Sequence, residues 1–134
     1  MPSQIPYGDN LIAPYRVLDL TDGKGVFCTK LLADYGANVV RIEPPSGDPG
    51  RAKGPFLGDE PGVERSAYFL FYNTNKRSIT LNLESDLGQS IFKQLAAKAD
   101  VVVESLPVGY LKTLGLDYDA LRESNPGLVM ASIS

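Results

Sequence analysis

The chain has 134 residues, 43% hydrophobic and 22% charged, which suits one globular domain or a piece of one, burying about two-thirds of its unfolded surface. Thirteen basic against sixteen acidic residues leave a net charge of −3, so neither nucleic acid nor an anionic membrane is an expected partner, and no apolar run reaches the ~18 residues of a membrane span. With no histidine and the single cysteine Cys28, the chain offers no Ser-His or Cys-His nucleophile, internal disulfide or zinc set, so no metal and a reducing, cytoplasmic setting are expected.

Residues 1–15 read as an N-terminal extension, and 1–10 lack the basic and apolar regions of a secretory leader. Arg16-Val17-Leu18-Asp19-Leu20 predicts a short apolar strand, closed by the glycine-bearing turn Thr21-Asp22-Gly23-Lys24-Gly25. Val26, Phe27, Leu31, Leu32 and Tyr35 follow at helical spacing, and Gly36 stands where a helix ends. Asn38–Glu43 predicts a second strand, halted by Pro44-Pro45. From there to about Ser66 the chain is rich in Gly and Pro without a period, the mark of a functional or disordered loop. Residues 67–72 are expected as a short buried helix, with a strand as the alternative and with Tyr68 and Tyr72 in the core. Residues 77–83 alternate as a strand should. Ser85 or Asp86 caps the next helix, whose inner face is expected at Leu87, Ile91, Leu95 and Ala96. Residues 100–104 predict a strand buried on both faces, 107–114 and 118–123 short helices, and 128–133 a last strand. Strands alternating with helices predict an α/β fold, a Rossmann-like parallel sheet with flanking helices, over 16–134. The last strand runs to Ser134 with no loop after it, which reads as a chain cut from something longer.

The turn after the first strand carries the candidate site. In open α/β sheets ligands bind at the carboxyl ends of strands, and backbone N–H groups at a helix N-terminus favour an anion such as phosphate. Gly23-x-Gly25-x-x-Cys28 resembles a dinucleotide fingerprint broken at its third position, and Glu43 stands where a carboxylate would meet a ribose hydroxyl. Two readings stay open: a nucleotide-bearing ligand across the first two strands, or a tight turn beside a solvated strand end. Arg51, Lys53, Lys76 and Arg77 could meet phosphates or simply be solvated, and Cys28 reads as a small core residue. No carboxylate pair, metal cluster or activated nucleophile stands out, so the residues alone support a nucleotide-type binding lobe without chemistry.

The chain resembles the N-terminal part of family III CoA-transferases, the group that includes formyl-CoA and carnitine CoA-transferases. The matching residues are Val17-Leu18-Asp19-Leu20, Leu31-Leu32-Ala33-Asp34-Tyr35-Gly36-Ala37-Asn38-Val39-Val40-Arg41-Ile42-Glu43 and Gly47-Asp48-Pro49. Further matches are Asn75-Lys76-Arg77-Ser78, Leu81-Asn82-Leu83, Ala99-Asp100-Val101-Val102-Val103-Glu104, Leu114-Gly115 and Asn125-Pro126. The resemblance implies the coenzyme A-binding lobe of a larger two-domain enzyme that moves CoA from an acyl-CoA to a carboxylic acid through an aspartyl intermediate. It places the catalytic aspartate beyond residue 134, so this fragment alone is expected to be inactive, and it implies an interlocked homodimer. Carried over by position, Gly23, Lys24 and Gly25 face the thioester end of CoA, and Pro44 falls where an arginine lies beside the adenosine. Leu81, Leu83 and Glu84 fall on the segment touching the phosphates, and Ser105 and Leu106 on an Asn-Phe pair at the pantetheine. Glu84 and Thr113 replace basic residues, with Arg41, Arg51 or Lys112 as candidate compensating cations. The alternatives are an acyl-CoA racemase of the same family, a non-catalytic subunit and, more remotely, an NAD-dependent oxidoreductase.

Overall fold

The structure, a computed structural model, describes residues 11–134; the reading of 1–10 as leader-free lies outside the described residues. Five strands form one parallel sheet: β1 Arg16–Leu20, β2 Asn38–Glu43, β3 Arg77–Thr80, β4 Val101–Glu104 and β5 Val129–Ser132. Their order is β3-β2-β1-β4-β5, so the winding reverses between β1 and β4. That reversal opens a crevice at the carboxyl ends of the two strands, where doubly wound sheets bind ligands. In register, Val17 pairs with Val39 and Val101, and Leu20 with Glu104.

Five helices cover the sheet: α1 Val26–Asp34, α2 Ala67–Asn73, α3 Asp86–Ala96, α4 Tyr110–Thr113 and α5 Tyr118–Arg122. One face packs Leu18, Leu20, Ile42 and Val102 against Phe92, Ala96, Leu111, Leu116 and Leu121. The opposite face has a thinner core of Val17, Val39 and Val103 with Ala33 and Ala37. Alternation along β1 places Asp19 on the same face as Val17, with no exposed surface. Among the described residues no helix is long and apolar enough to cross a membrane.

The helices exist where expected, but two turn a different face inward. In α1 the buried stripe is Val26, Thr29 and Ala33, while Phe27 is 52% exposed and Leu31 and Tyr35 are exposed as well. Residues three and four apart share a helix face, and here a threonine bound to a buried carboxylate sets the stripe. In α3 Ala96 is buried as expected and Leu95 packs against the core, but the stripe runs on through Phe92 and Gly88, which leaves Leu87 72% exposed and Ile91 partly so. Gly88 decides this, because a Cβ there would lie 1.7 Å from the Asn82 carbonyl oxygen, so the first turn of α3 sits directly on segment 81–84. Ser85 caps that turn by accepting from Gly88 N.

α2 forms as the expected helix, capped by Ser66 Oγ, but it buries only Phe69. Phe71 is exposed, and Tyr68 and Tyr72 are half-buried, their rings in tilted contact with centroids 4.7 Å apart, so the expected tyrosine core is corrected. β3 ends at Thr80, shorter than expected, because 81–84 leaves the sheet to run beneath α3. Cys28 is exposed on α1 and not a core residue. Close approach of α1 to the sheet falls instead at Gly25, where a Cβ would lie 2.8 Å from Ile133 Cδ1 and 2.9 Å from Thr21 Cγ2. The loop between Pro44 and Ser66 is ordered by two 3₁₀ turns, Pro49–Ala52 and Leu57–Asp59, and by a bridge between Phe56 and Ser66.

Candidate functional site

A buried ionic network lies beneath the strand ends. Asp19 on β1 stands in register with Arg41 on β2, and Arg41 Nη1 donates to Asp19 Oδ1 at 2.9 Å. Arg41 Nη2 donates to Asp48, and Lys76 Nζ donates to Asp19 Oδ2 at 2.9 Å and to Thr29 Oγ1 at 2.8 Å. Thr21 and Thr29 hydroxyls complete the shell of Asp19. Burial opposes charge on Asp19, but Arg41 and Lys76 outweigh it and hold its carboxyl below the usual range. Lys76 is shifted down by the same burial, which its bond to Asp19 only partly offsets. Two carboxylates and two cations thus meet in one buried cluster.

A second cluster adjoins the first. Glu43 accepts from Arg51 Nε and Nη2, both at 2.8 Å, from Ser78 Oγ and from Asp48 N at 2.9 Å. The Arg51 bonds lead in lowering its pKa to about 2. Four donors fill the lone pairs of this carboxylate, so no oxygen remains for a ribose hydroxyl. That removes Glu43 from the NAD-dependent reading and leaves it only the broken glycine fingerprint.

The turn after β1 is closed by Asp22. Its carbonyl accepts from Gly25 N and Val26 N at 3.1 and 2.9 Å, and its Oδ1 from Lys24 N at 3.0 Å and Ser105 Oγ at 2.6 Å. The Ser105 bond leads in lowering the Asp22 pKa. The expectation of N–H groups waiting here for a phosphate is therefore corrected: those of Lys24, Gly25 and Val26 already have acceptors. The Asp22 carboxylate lies in the turn just ahead of α1, bonded to Lys24 N.

Above these clusters a cleft of about 630 Å³ opens at the carboxyl ends of β1 and β2. Pro44 and Pro45 form one side, Leu81, Leu83 and Glu84 another, and Leu106 and Tyr110 the third. The structure thus brings together Pro44, Leu81, Leu83, Glu84 and Leu106 of the residues singled out in the sequence. Ser105 is buried behind the wall, bonded to Asp22. Gly23 lines a smaller recess of about 160 Å³ next door, whereas Lys24 and Gly25 line neither. Cleft and recess share Asp22, Arg41, Asp48 and Pro49 in their walls.

Charge in the cleft differs from expectation. Arg41 is its only basic lining residue among those described, and its charge is matched by Asp19 and Asp48. Arg51 and Lys76 are also paired, and Arg77 reaches Asn38 at the opposite end of the sheet, so none of these is a free phosphate cation. Lys112 and Thr113 are exposed on α4 outside the cleft. Glu84 does stand in it, accepting from the Tyr110 hydroxyl at 3.2 Å. Asp19, Asp48 and Thr29 were missed as site residues; the signal available was a charge at matching places in two apolar strands, Val-Leu-Asp-Leu and Val-Val-Arg-Ile.

The chain is similar in sequence and in fold to known proteins. The family model described as CoA-transferase family III matches residues 12–134. The chain is 41% identical over 120 residues to a succinyl-CoA:(R)-benzylsuccinate CoA-transferase subunit of Thauera aromatica, covering 90% of this chain and 29% of that protein. It is 44% identical over 119 residues to a succinyl-CoA:mesaconate CoA-transferase of Haloarcula marismortui, covering 88% and 30%. Among solved structures, a CaiB/BaiF family protein from Brucella suis superposes with a TM-score of 0.82 at 38% identity, over 90% of this chain and 32% of that one. The chain therefore spans about a third of the length of the proteins it matches.

Proposed function

Because the chain belongs to CoA-transferase family III, we propose that residues 16–134 form the CoA-binding lobe of an enzyme that moves CoA from an acyl-CoA thioester to a carboxylic acid. The observation that carries this reading is the cleft itself. It lies at the carboxyl ends of β1 and β2 with Leu106, beyond β4, on one side, mixes apolar with polar side chains, and gathers Pro44, Leu81, Leu83, Glu84 and Leu106 of the positions that the family resemblance assigns to CoA. In this reading pantetheine runs past Leu106, and the thioester reaches the recess under Gly23. The buried pairs Asp19–Arg41–Asp48 and Glu43–Arg51 pin the cleft floor and keep its geometry fixed. Since Arg41 is the only cation lining the cleft among the described residues, phosphate charge would be met by groups elsewhere in the full-length protein.

The chemistry needs a carboxylate outside this chain. An aspartate attacks the thioester carbonyl, the C–S bond breaks, and CoA thiolate leaves a mixed anhydride. The thiolate then attacks the aspartyl carbonyl, releasing the donor acid and leaving an enzyme-bound thioester. The acceptor carboxylate repeats the two steps in reverse order, so the aspartate is regenerated. The exposed apolar residues Phe27, Leu31 and Phe71 on α1 and α2 would be covered by further chain or by a partner in a homodimer.

A second reading, a partner subunit with a weakened CoA site, is favoured by Glu84 alone, whose charge opposes phosphate. Incubating the full-length protein with an acyl-CoA and a free acid, and separating the thioesters by chromatography, tests the choice. The proposal expects a new acyl-CoA matching the acceptor. CoA binding without any exchange would favour the subunit, and absence of both would refute the lobe assignment.

A further inference from the structure

Around the turn after β1 nearly every cation is matched. Arg41, Arg51 and Lys76 each have a carboxylate within 4.0 Å. Lys24 and Lys53 differ, for among the described residues neither ammonium has an ion pair or a hydrogen bond, and of the two only Lys53, an exposed residue, lines the recess beside Gly23. The Lys53 ammonium is held at 4.7 Å over the ring of Tyr68, and it stands 3.3 Å from the point where a Cβ on Gly23 would lie. The Tyr68 hydroxyl stands 3.4 Å from the same point. An ammonium and a phenol therefore converge on Gly23, one of the two glycines of the turn. The space they enclose is the recess of about 160 Å³, too small for a nucleotide and ample for a short acyl chain. The carboxylates in its wall are already used, Asp48 by Arg41 and Asp22 by Ser105 Oγ and Lys24 N.

We propose that Lys53, assisted by the Tyr68 hydroxyl, selects acyl groups that carry a second carboxylate, seated in the recess beneath Gly23. The inference rests on the transferase reading above and adds the substrate class. A distal carboxylate two or three carbons from the thioester would give the ammonium the partner it lacks, and a charge-assisted bond there discriminates against a neutral chain of equal length. The absence of a Cβ at Gly23 leaves the room for it.

The test uses the full-length protein with two donors of matched length, succinyl-CoA and butyryl-CoA, and the variants Lys53→Met and Lys53→Arg. The readout is the ratio of kcat/KM for the two donors, with CoA affinity measured separately by calorimetry. The ratio is expected to favour succinyl-CoA in the parent, to fall roughly ten- to a hundredfold in Lys53→Met, and to stay within a few-fold in Lys53→Arg. A parent ratio near one, or a ratio unmoved by Lys53→Met while CoA still binds, overturns the role of Lys53 and leaves the transferase reading standing. Failure of the parent protein to bind CoA overturns both.

Discussion

Replacing Asp19 with asparagine removes one charge from a site that balances two against two. The carboxylate accepts from Thr21 N, Thr21 Oγ1 and Arg41 Nη1 on one oxygen, and from Thr29 Oγ1 and Lys76 Nζ on the other. An asparagine amide keeps an acceptor at only one of these oxygens and turns its own N–H groups toward donors at the other. Both cations stay buried, Arg41 with 5% and Lys76 with 1% of its side chain exposed, and only Asp48 remains to balance them. Breaking a buried pair by removing one partner costs about 3–5 kcal/mol, which would speed exchange of the β1 and β2 amides by roughly a hundredfold to a few thousandfold where it proceeds by opening of the sheet. Hydrogen–deuterium exchange with mass spectrometry on the full-length protein reads this peptide by peptide. Adding Lys76→Met restores the charge balance, so the double variant is expected to lose less than the two single losses combined, by about 1–3 kcal/mol. A single variant within about 1 kcal/mol of the parent, or strictly additive losses, would refute the argument that the four charges act as one unit.

Other outcomes follow from neighbouring contacts. Glu43, held at a pKa of about 2 against an ordinary 4.5, contributes stability that is fully present above pH ~4.5 and is lost as pH falls toward 2. That loss is roughly 3 kcal/mol, and Glu43→Gln should flatten this part of an acid titration followed by circular dichroism. Gly88→Ala puts a methyl 1.7 Å from the Asn82 carbonyl oxygen, so segment 81–84 must move; a drop in melting temperature together with weaker CoA binding is expected, and an unchanged affinity would detach that segment from the site. Glu84→Gln removes a carboxylate from the cleft, and at a wet surface this relieves about 1 kcal/mol of repulsion, or roughly fivefold in CoA affinity by calorimetry. Weaker binding instead would mean that Glu84 holds the ligand.

The parallel sheet was legible because its strands are short apolar runs set off by turn residues, and because Gly36 and Ser85 punctuate the helices. Gly36 takes a φ of 104°, and its N–H and that of Ala37 bond back to Ala33 O and Leu32 O, which is how a helix ends on glycine. Inner faces were less legible. Thr29 and Gly88 sit on the buried stripes for a hydrogen bond and a close approach, and neither scores as apolar. The cleft residues Pro44, Leu81, Leu83, Glu84 and Leu106 came from the family resemblance; composition and periodicity would not have joined segments so far apart in sequence. The ion network was hidden because a charge within an apolar strand acquires meaning only in register with its opposite, as Asp19 does with Arg41.

The most direct test of the CoA cleft is hydrogen exchange of the full-length protein with and without saturating CoA. Slowed exchange is expected in peptides covering 43–49, 81–84 and 105–110, the three sides of the cleft. Protection confined to the edge formed by β5 and α5, with those three segments unchanged, would place the coenzyme elsewhere and contradict the account.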